Sequence, residues 1–231
     1  MAVQFAQPYR FSEQQLARMA QARVVPEHGT ALIDGVPYWA GAPVRFSNHD
    51  YQRLGEIGVI GEDERVELID GEVIQMTPVG GQHQTVVFDV DDYLHSVTGA
   101  GLRVARQGAV RLEGAEPMPD LMVLRRADEV RGKLPMPSAC LLAVEVADTS
   151  APYDRSGKRE LYARGGIAEY WVVDLNTRTV VLHLRPIAGD YQEVTEYSRD
   201  AVFVSPRWTG PKCTCVTCCG SSAGLPPRRG G

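Results

Sequence analysis

The run Cys140-Leu-Leu-Ala-Val-Glu-Val-Ala147 constrains the fold more than any other stretch, because seven of its eight residues are apolar and the other is a carboxylate. An apolar segment of this length reads as a strand covered on both faces, the pattern of a sheet with helices packed on either side. Side chains alternate along a strand, so Leu142, Val144 and Val146 share one face and Ala143, Glu145 and Ala147 the other. Burying Glu145 there costs several kcal/mol unless something positive compensates it, and the flanking alanines leave room for an ion.

Neighbouring segments supply the rest of such a sheet. Val86, Val87, Val90, Leu94 and Val97 recur at helical spacing and predict a helix over about 82–97, ending before Gly99. Strand-like runs follow at LRVARQGAVRL from 102 and DLMVLR from 120, the second apolar at nearly every position. Asp154 can cap a helix running to Gly165-Gly166, and AEYWVVDL and TVVLHLR form a further pair around Asn176. Helix, three strands, helix and strand, with a hairpin partner, give an α/β fold with a mixed central sheet. With 44% hydrophobic and 23% charged residues the chain has material for a real core. No apolar run approaches the roughly 18 residues of a membrane span, and MAVQFAQPYRFSEQQ carries no secretory leader, so a cytoplasmic protein is expected.

The N-terminal third contains a near-repeat. Arg10-Phe11-Ser12 recurs as Arg45-Phe46-Ser47 and Leu32-Ile33-Asp34-Gly35 as Leu68-Ile69-Asp70-Gly71, at offsets of 35 and 36. Each copy reads as a short amphipathic helix, a linker and a strand turning through Asp-Gly, a strong hairpin signal. Glu67 and Glu72 flank the second turn motif where the first has Ala31 and Val36, so the first copy reads as dispensable for any carboxylate chemistry.

Asp120 opens the strand after Pro119, and a carboxylate there together with Glu145 on an adjacent strand suits a hard cation such as Mg²⁺, which prefers oxygen ligands and keeps several waters. The alternative is a buried salt bridge to an arginine. Lys158 shares a helix face with Leu161 and Tyr162, which favours an inward lysine beside the carboxylates over an exposed pair with Asp154. His83 extends the apolar stripe of its helix, and Gln107 lies in the next strand; both are accessory candidates, although such a histidine is more often a plain core residue. Cys140 reads as a small core residue. Cys213, Cys215, Cys218 and Cys219 supply enough thiolates for zinc, but their spacing fits structural sites poorly, and an oxidation-prone disordered tail is the favoured reading.

The ordered series VELIDGEVIQMTP, Gln82-His83, Met118-Pro119-Asp120, LLAVEVADTS, Lys158 with Tyr162, and GGIAEYWVVDL resembles the Uma-two family, described as putative restriction endonucleases, within the PD-(D/E)XK nuclease superfamily. The likeness runs from about 45 to 207. It implies a restriction-endonuclease-like core over 45–207; it does not cover residues 1–44, which the repeat marks as an N-terminal hairpin extension, or 208–231, which the Gly, Pro and Ser content marks as a tail. It further implies that Asp120 and Glu145 are the metal-binding acids, Lys158 the catalytic lysine and Glu67 an accessory acid. In the wider superfamily the lysine stands two residues after the acid, where this chain has Ala147; Lys158 in the following helix takes its place.

The resulting expectation is a Mg²⁺-dependent endonuclease, with Mn²⁺ able to substitute, that hydrolyses DNA phosphodiesters to 5′-phosphate and 3′-hydroxyl ends. Asp120, Glu145 and the carbonyl of Val146 hold the metal, and Tyr162 is a further accessory residue. A net charge of −5 excludes a global basic field, so any DNA track must be local, drawn from Arg103, Arg106, Arg111, Arg155 and Arg159. Cutting two strands suggests a homodimer. The competing expectation is a nuclease-fold protein that no longer cuts and serves as a nucleic-acid-binding or assembly module.

Overall fold

The computed structural model describes residues 7–76, 78–148, 150 and 153–198, with 202–203 and 213–214 described by backbone alone. The chain divides into two compact units, one of residues 1–78, 109–118 and 130–137, the other of 79–108, 119–129 and 138–231. No described helix is long and apolar enough to cross a membrane.

In the first unit the near-repeat is structural. Strand β1 (Gln7–Pro8), helix α1 (Glu13–Gln21) and the hairpin β2 (Thr30–Ile33) and β3 (Val36–Trp39) are repeated in order as β4 (Ala42–Pro43), α2 (Asn48–Glu56), β5 (Val66–Ile69) and β6 (Glu72–Gln75). Each helix starts with a reciprocal cap, Ser12 with Gln15 and Ser47 with Asp50, which satisfies backbone N–H groups that have no intrahelical partner. Each hairpin turns through Asp-Gly with positive φ at both residues, 47° and 75° at Asp34-Gly35 and 48° and 78° at Asp70-Gly71. That is the two-residue turn whose twist matches the strands it joins.

The copies exchange strands. β4 leads into the second copy but pairs with β3 of the first, Trp39 opposite Ala42 and Tyr38 opposite Pro43. β1 leads into the first copy but pairs with β6 of the second, Gln7 opposite Gln75 and Pro8 opposite Ile74. The equivalent rings of Phe11 and Phe46 meet at a centroid separation of 6.0 Å, and a single core joins Met19 and Val25 to Leu54, Val59 and Leu68. The boundary expected after residue 44 therefore runs through a shared core, and residues 1–44 are no appendage.

The second unit holds a six-stranded sheet. Its elements are α3 (Gly81–Val97), β7 (Leu102–Arg106), β8 (Leu121–Arg125), β9 (Cys140–Ala147), a π-helical turn (Asp154–Lys158) running into α4 (Arg159–Arg164), β10 (Glu169–Asp174), β11 (Thr179–Ile187) and β12 (Asp190–Tyr197). The spatial order is β12-β11-β10-β9-β8-β7; β9 and β10 run parallel and every other neighbour antiparallel. The expected α/β class with a mixed sheet is what the chain forms. A separate ladder joins β13 (Val202–Phe203) to β14 (Cys213–Thr214); the rest of the 208–231 segment and the cysteine side chains considered for zinc lie outside the described residues.

Val86, Val90 and Leu94 of α3 are fully buried in one cluster with Leu142, Val144 and Val146 of β9, each such side chain contributing about 1.5–3 kcal/mol. The strand expected to continue through LRVARQGAVRL stops at Arg106; Gln107 turns to a φ of 48°, and residues 109–118 join the first unit. Asp154 does not cap a helix; it begins the π turn and is buried. A Cβ at Gly157 would lie 2.6 Å from Cε2 of the Tyr153 ring, so the glycine lets that ring lie against the turn.

Two outcomes are expected. Removing residues 1–40 takes away β1 and half of the shared core, so the truncated chain should lose the cooperative unfolding of the first unit in a urea titration followed by circular dichroism. In the second unit, burial lowers the pKa of His183 from 6.5 to about 4, with the Tyr170 carbonyl opposing and Arg159 and Arg155 adding to the fall. The unfolded chain then binds the extra proton between those values, so this contribution is fully present above pH 6.5 and is lost as pH falls to about 4. Urea midpoints measured across that window should fall less steeply for His183→Asn than for the native chain.

Candidate active site

Asp120, Glu145, Lys158, Tyr162, His83 and Gln107 all belong to the second unit. Leu121 pairs with Val144 in antiparallel register, and continuing that register by one residue sets Asp120 across from Glu145. The Val146 N–H donates to Asp120 Oδ2 at 2.8 Å. His83 Nε2 lies 3.1 Å from the same oxygen; a carboxylate only accepts, so this bond places the ring proton on Nε2. His83 Nδ1 is buried with no hydrogen-bond partner. The helical stripe that turns Val86, Val87 and Val90 into the core also delivers this histidine.

Glu145 is 5% exposed and Lys158 7%. Lys158 Nζ donates to Glu145 Oε1 at 2.9 Å and the Tyr162 hydroxyl donates to the same oxygen at 2.8 Å. The π turn carries the lysine there: it turns Lys158 inward, and α4 continues with Tyr162 one helical turn on. A buried salt bridge at Glu145 was one reading of the strand, and the partner is Lys158 rather than an arginine. Lys158 and Asp154 are both buried, so an exposed surface pair between them is not what the fold provides; the Asp154 backbone carbonyl accepts the Tyr170 hydroxyl at 2.9 Å. Burial, then the charges of Asp154 and Glu145, push the Tyr170 phenol well above its ordinary pKa, so it stays a donor.

The remaining candidates fall in different places. Gln107 is exposed and reaches Asp120 only through its backbone N–H, which donates to the Asp120 carbonyl at 3.1 Å. Val146 meets Asp120 through its N–H. Glu67 belongs to the first unit, where it is buried and accepts the Met118 N–H at 2.9 Å. Cys140 is buried, which pushes its thiol up to about 12 and leaves it inert. Each of the five arginines considered for a DNA track pairs with a carboxylate: Arg103 with Glu129, Arg106 with Asp91, Arg111 with Glu116, Arg155 with Asp174 and Arg159 with Asp190. What the residue pattern does not announce is the π turn, for which the Ser156-Gly157 pair inside a helical segment is the one local signal.

Among the described residues no group of three or more His, Cys, Asp or Glu side chains converges to hold a metal ion. Two carboxylates on adjacent strands do fit Mg²⁺, which takes one or two protein carboxylates and completes its shell with water. They do not fit zinc, which favours nitrogen and sulfur donors in a closed tetrahedron. A carboxylate anchored through one oxygen, as Asp120 is by His83 and Val146, keeps its second oxygen as a donor.

The Glu145–Lys158 pair also makes a stability prediction. Glu145→Met leaves a buried ammonium and Lys158→Met a buried carboxylate, so each should cost about 3–5 kcal/mol. The double variant, which leaves neither charge, should recover most of that loss. Urea unfolding of all four proteins checks it, and additive losses would exclude a direct coupling.

Residues 49–209 match the Uma2 family, whose description reads "Putative restriction endonuclease". No curated protein matches the chain. The fold is similar to the crystal structure of a "putative nuclease belonging to DUF820" from Anabaena variabilis, with a TM-score of 0.63, 16% sequence identity, and coverage of 75% of this chain and 97% of that one. The family match spans well over half of the chain, including Asp120, Glu145 and Lys158, and the chain is a member of the Uma2 family.

Proposed function

We propose that the chain is a Mg²⁺-dependent endonuclease hydrolysing phosphodiester bonds in DNA, with a restriction-endonuclease-like core of the PD-(D/E)XK type. The observation that carries this reading is the Lys158 ammonium 2.9 Å from Glu145, delivered from the following helix into a site that also holds Asp120. A purely structural carboxylate needs no second acid beside it.

In this reading Asp120 and Glu145 hold the cation, with the Val146 carbonyl as a third oxygen donor. Bound Mg²⁺ supplies charge that polarises a phosphate oxygen and makes a water more acidic. The chain's own groups do the rest. The Val146 N–H and His83 fix the Asp120 carboxylate, and the Tyr162 hydroxyl fixes that of Glu145. Lys158 keeps its ammonium where negative charge grows on the phosphate, an interaction that strengthens towards the transition state.

A second reading is a nuclease-fold module that no longer cuts and serves in nucleic-acid binding or assembly; the ion-paired arginines and the net charge of −5 weigh against a dedicated DNA track. In the Arg103–Glu129 and Arg159–Asp190 pairs both partners are solvent-accessible, and such pairs are worth only about 0–1 kcal/mol, so a phosphate can compete for those two guanidiniums. One experiment separates the readings: supercoiled plasmid incubated with the protein and Mg²⁺ or Mn²⁺, beside a chelator control and Asp120→Asn. The expected result is nicked and linear product with either metal, lost in the chelator and in Asp120→Asn. Lys158→Met should slow cleavage by roughly 10² to 10³. Retention of DNA in a mobility-shift gel without cleavage under any metal would support the binding module.

A further inference from the structure

Among the described residues, only the second copy of the repeat carries a guest on its outer edge. Leu112 and Ala115 exchange backbone hydrogen bonds across Glu113-Gly114, making a tight turn, and the Glu116 N–H then donates to the Leu68 carbonyl of β5 at 2.8 Å. The Gly71 N–H donates to the Gly114 carbonyl at 3.0 Å. Asn48, at the start of α2, clamps the turn: its Oδ1 accepts the Gly114 N–H at 3.0 Å, and its Nδ2 donates to the Ala115 carbonyl at 3.0 Å and to Glu116 Oε1 at 3.2 Å.

The first copy has the same receptor. Ile69 pairs with Glu72 to close one turn and Ile33 with Val36 to close the other, so Leu32, like Leu68, sits one residue back, where the ladder turns its carbonyl outward. Gly35 stands for Gly71. Among the described residues no segment bonds to the Leu32 carbonyl or the Gly35 N–H. Ile33 lies on β2, the edge strand of its sheet, and is 54% exposed, and Trp39 at the end of the neighbouring β3 is 50% exposed. An open apolar edge of this kind pairs readily with another chain.

The charge at the clamp says what kind of chain fits. Offset by 35 residues, Glu13 takes the place of Asn48 and is exposed in the first turn of α1. A carboxylate can accept the glycine N–H as Asn48 does, but it cannot donate to a guest carboxylate and repels one. We propose that the β2 edge of the first copy is a docking site for a partner-protein loop shaped like residues 112–116, with glycine at the turn and lysine or arginine where Glu116 stands. The surface lies in the first unit and does not rest on the nuclease reading.

The test uses the full chain, labelled with ¹⁵N, and two peptides at millimolar concentration. One is the 111–118 sequence Arg-Leu-Glu-Gly-Ala-Glu-Pro-Met; the other has lysine in place of its second glutamate. The lysine peptide should shift the amide signals of Leu32, Ile33 and Gly35 and bind roughly two- to fivefold tighter than the glutamate peptide, the scale of an exposed ion pair. Glu13→Lys should reverse that preference, and N-methylation of the peptide's lysine, which removes the donor to the Leu32 carbonyl, should abolish binding. Unmoved signals at Leu32 and Gly35 with both peptides, or an unchanged preference in Glu13→Lys, would overturn the proposal. So would a peptide-free dimer that buries the same amides, which would give the edge to a second copy of this chain.

Discussion

A carboxylate in the middle of the most apolar strand dictates much of what surrounds it. Glu145 is tolerable in β9 because Lys158 and Tyr162 both donate to one of its oxygens. That requirement explains the π turn, which aims the lysine inward, and the glycine at 157, which lets the Tyr153 ring lie against the turn. It also explains the small neighbours Ala143 and Ala147, which give the carboxylate space on its face. A π turn inserted at such a place is more often a functional device than an accident of packing.

Much of this was legible in the residues because the physics is local. The stripe Val86–Val97 gives α3 within a residue or two, and the alternation in CLLAVEVA assigns the faces of β9 that the core then uses. The Asp-Gly turns were equally plain. What stayed hidden depends on contacts distant in sequence. Nothing around Gln107 says that its φ turns positive and sends residues 109–118 to the other unit. Nor does a two-residue strand announce its partner, so β1 and β4 could not be assigned to the opposite copies. At the site, the carboxylates and the lysine were readable because each breaks a local rule, whereas the π turn was not, since helical and π-helical segments share their composition.

The acidic pair is held unequally. Asp120, with 12% of its side chain exposed, is fixed by a backbone N–H and a histidine, whereas Glu145 is sealed by an ammonium and a phenol. The more open carboxylate is tied by a group that belongs to the strand itself, so its position follows the sheet rather than any mobile side chain. A site meant to receive a ligand benefits from that division, with one member preorganised by the backbone and the other charge-balanced until the ligand arrives.

The strand exchange in the first unit also imposes an order on synthesis. β1 is made well before its ladder partner β6, which ends at Gln75, 67 residues after Pro8. At about 5–20 residues per second, some 3–14 seconds pass before the opening strand can close its hydrogen bonds. Throughout that interval Tyr9, Phe11, Leu16 and Met19 have only half of their eventual core. Slowing translation between the first copy's hairpin and the next lengthens the exposure of these side chains without altering a single contact in the finished protein.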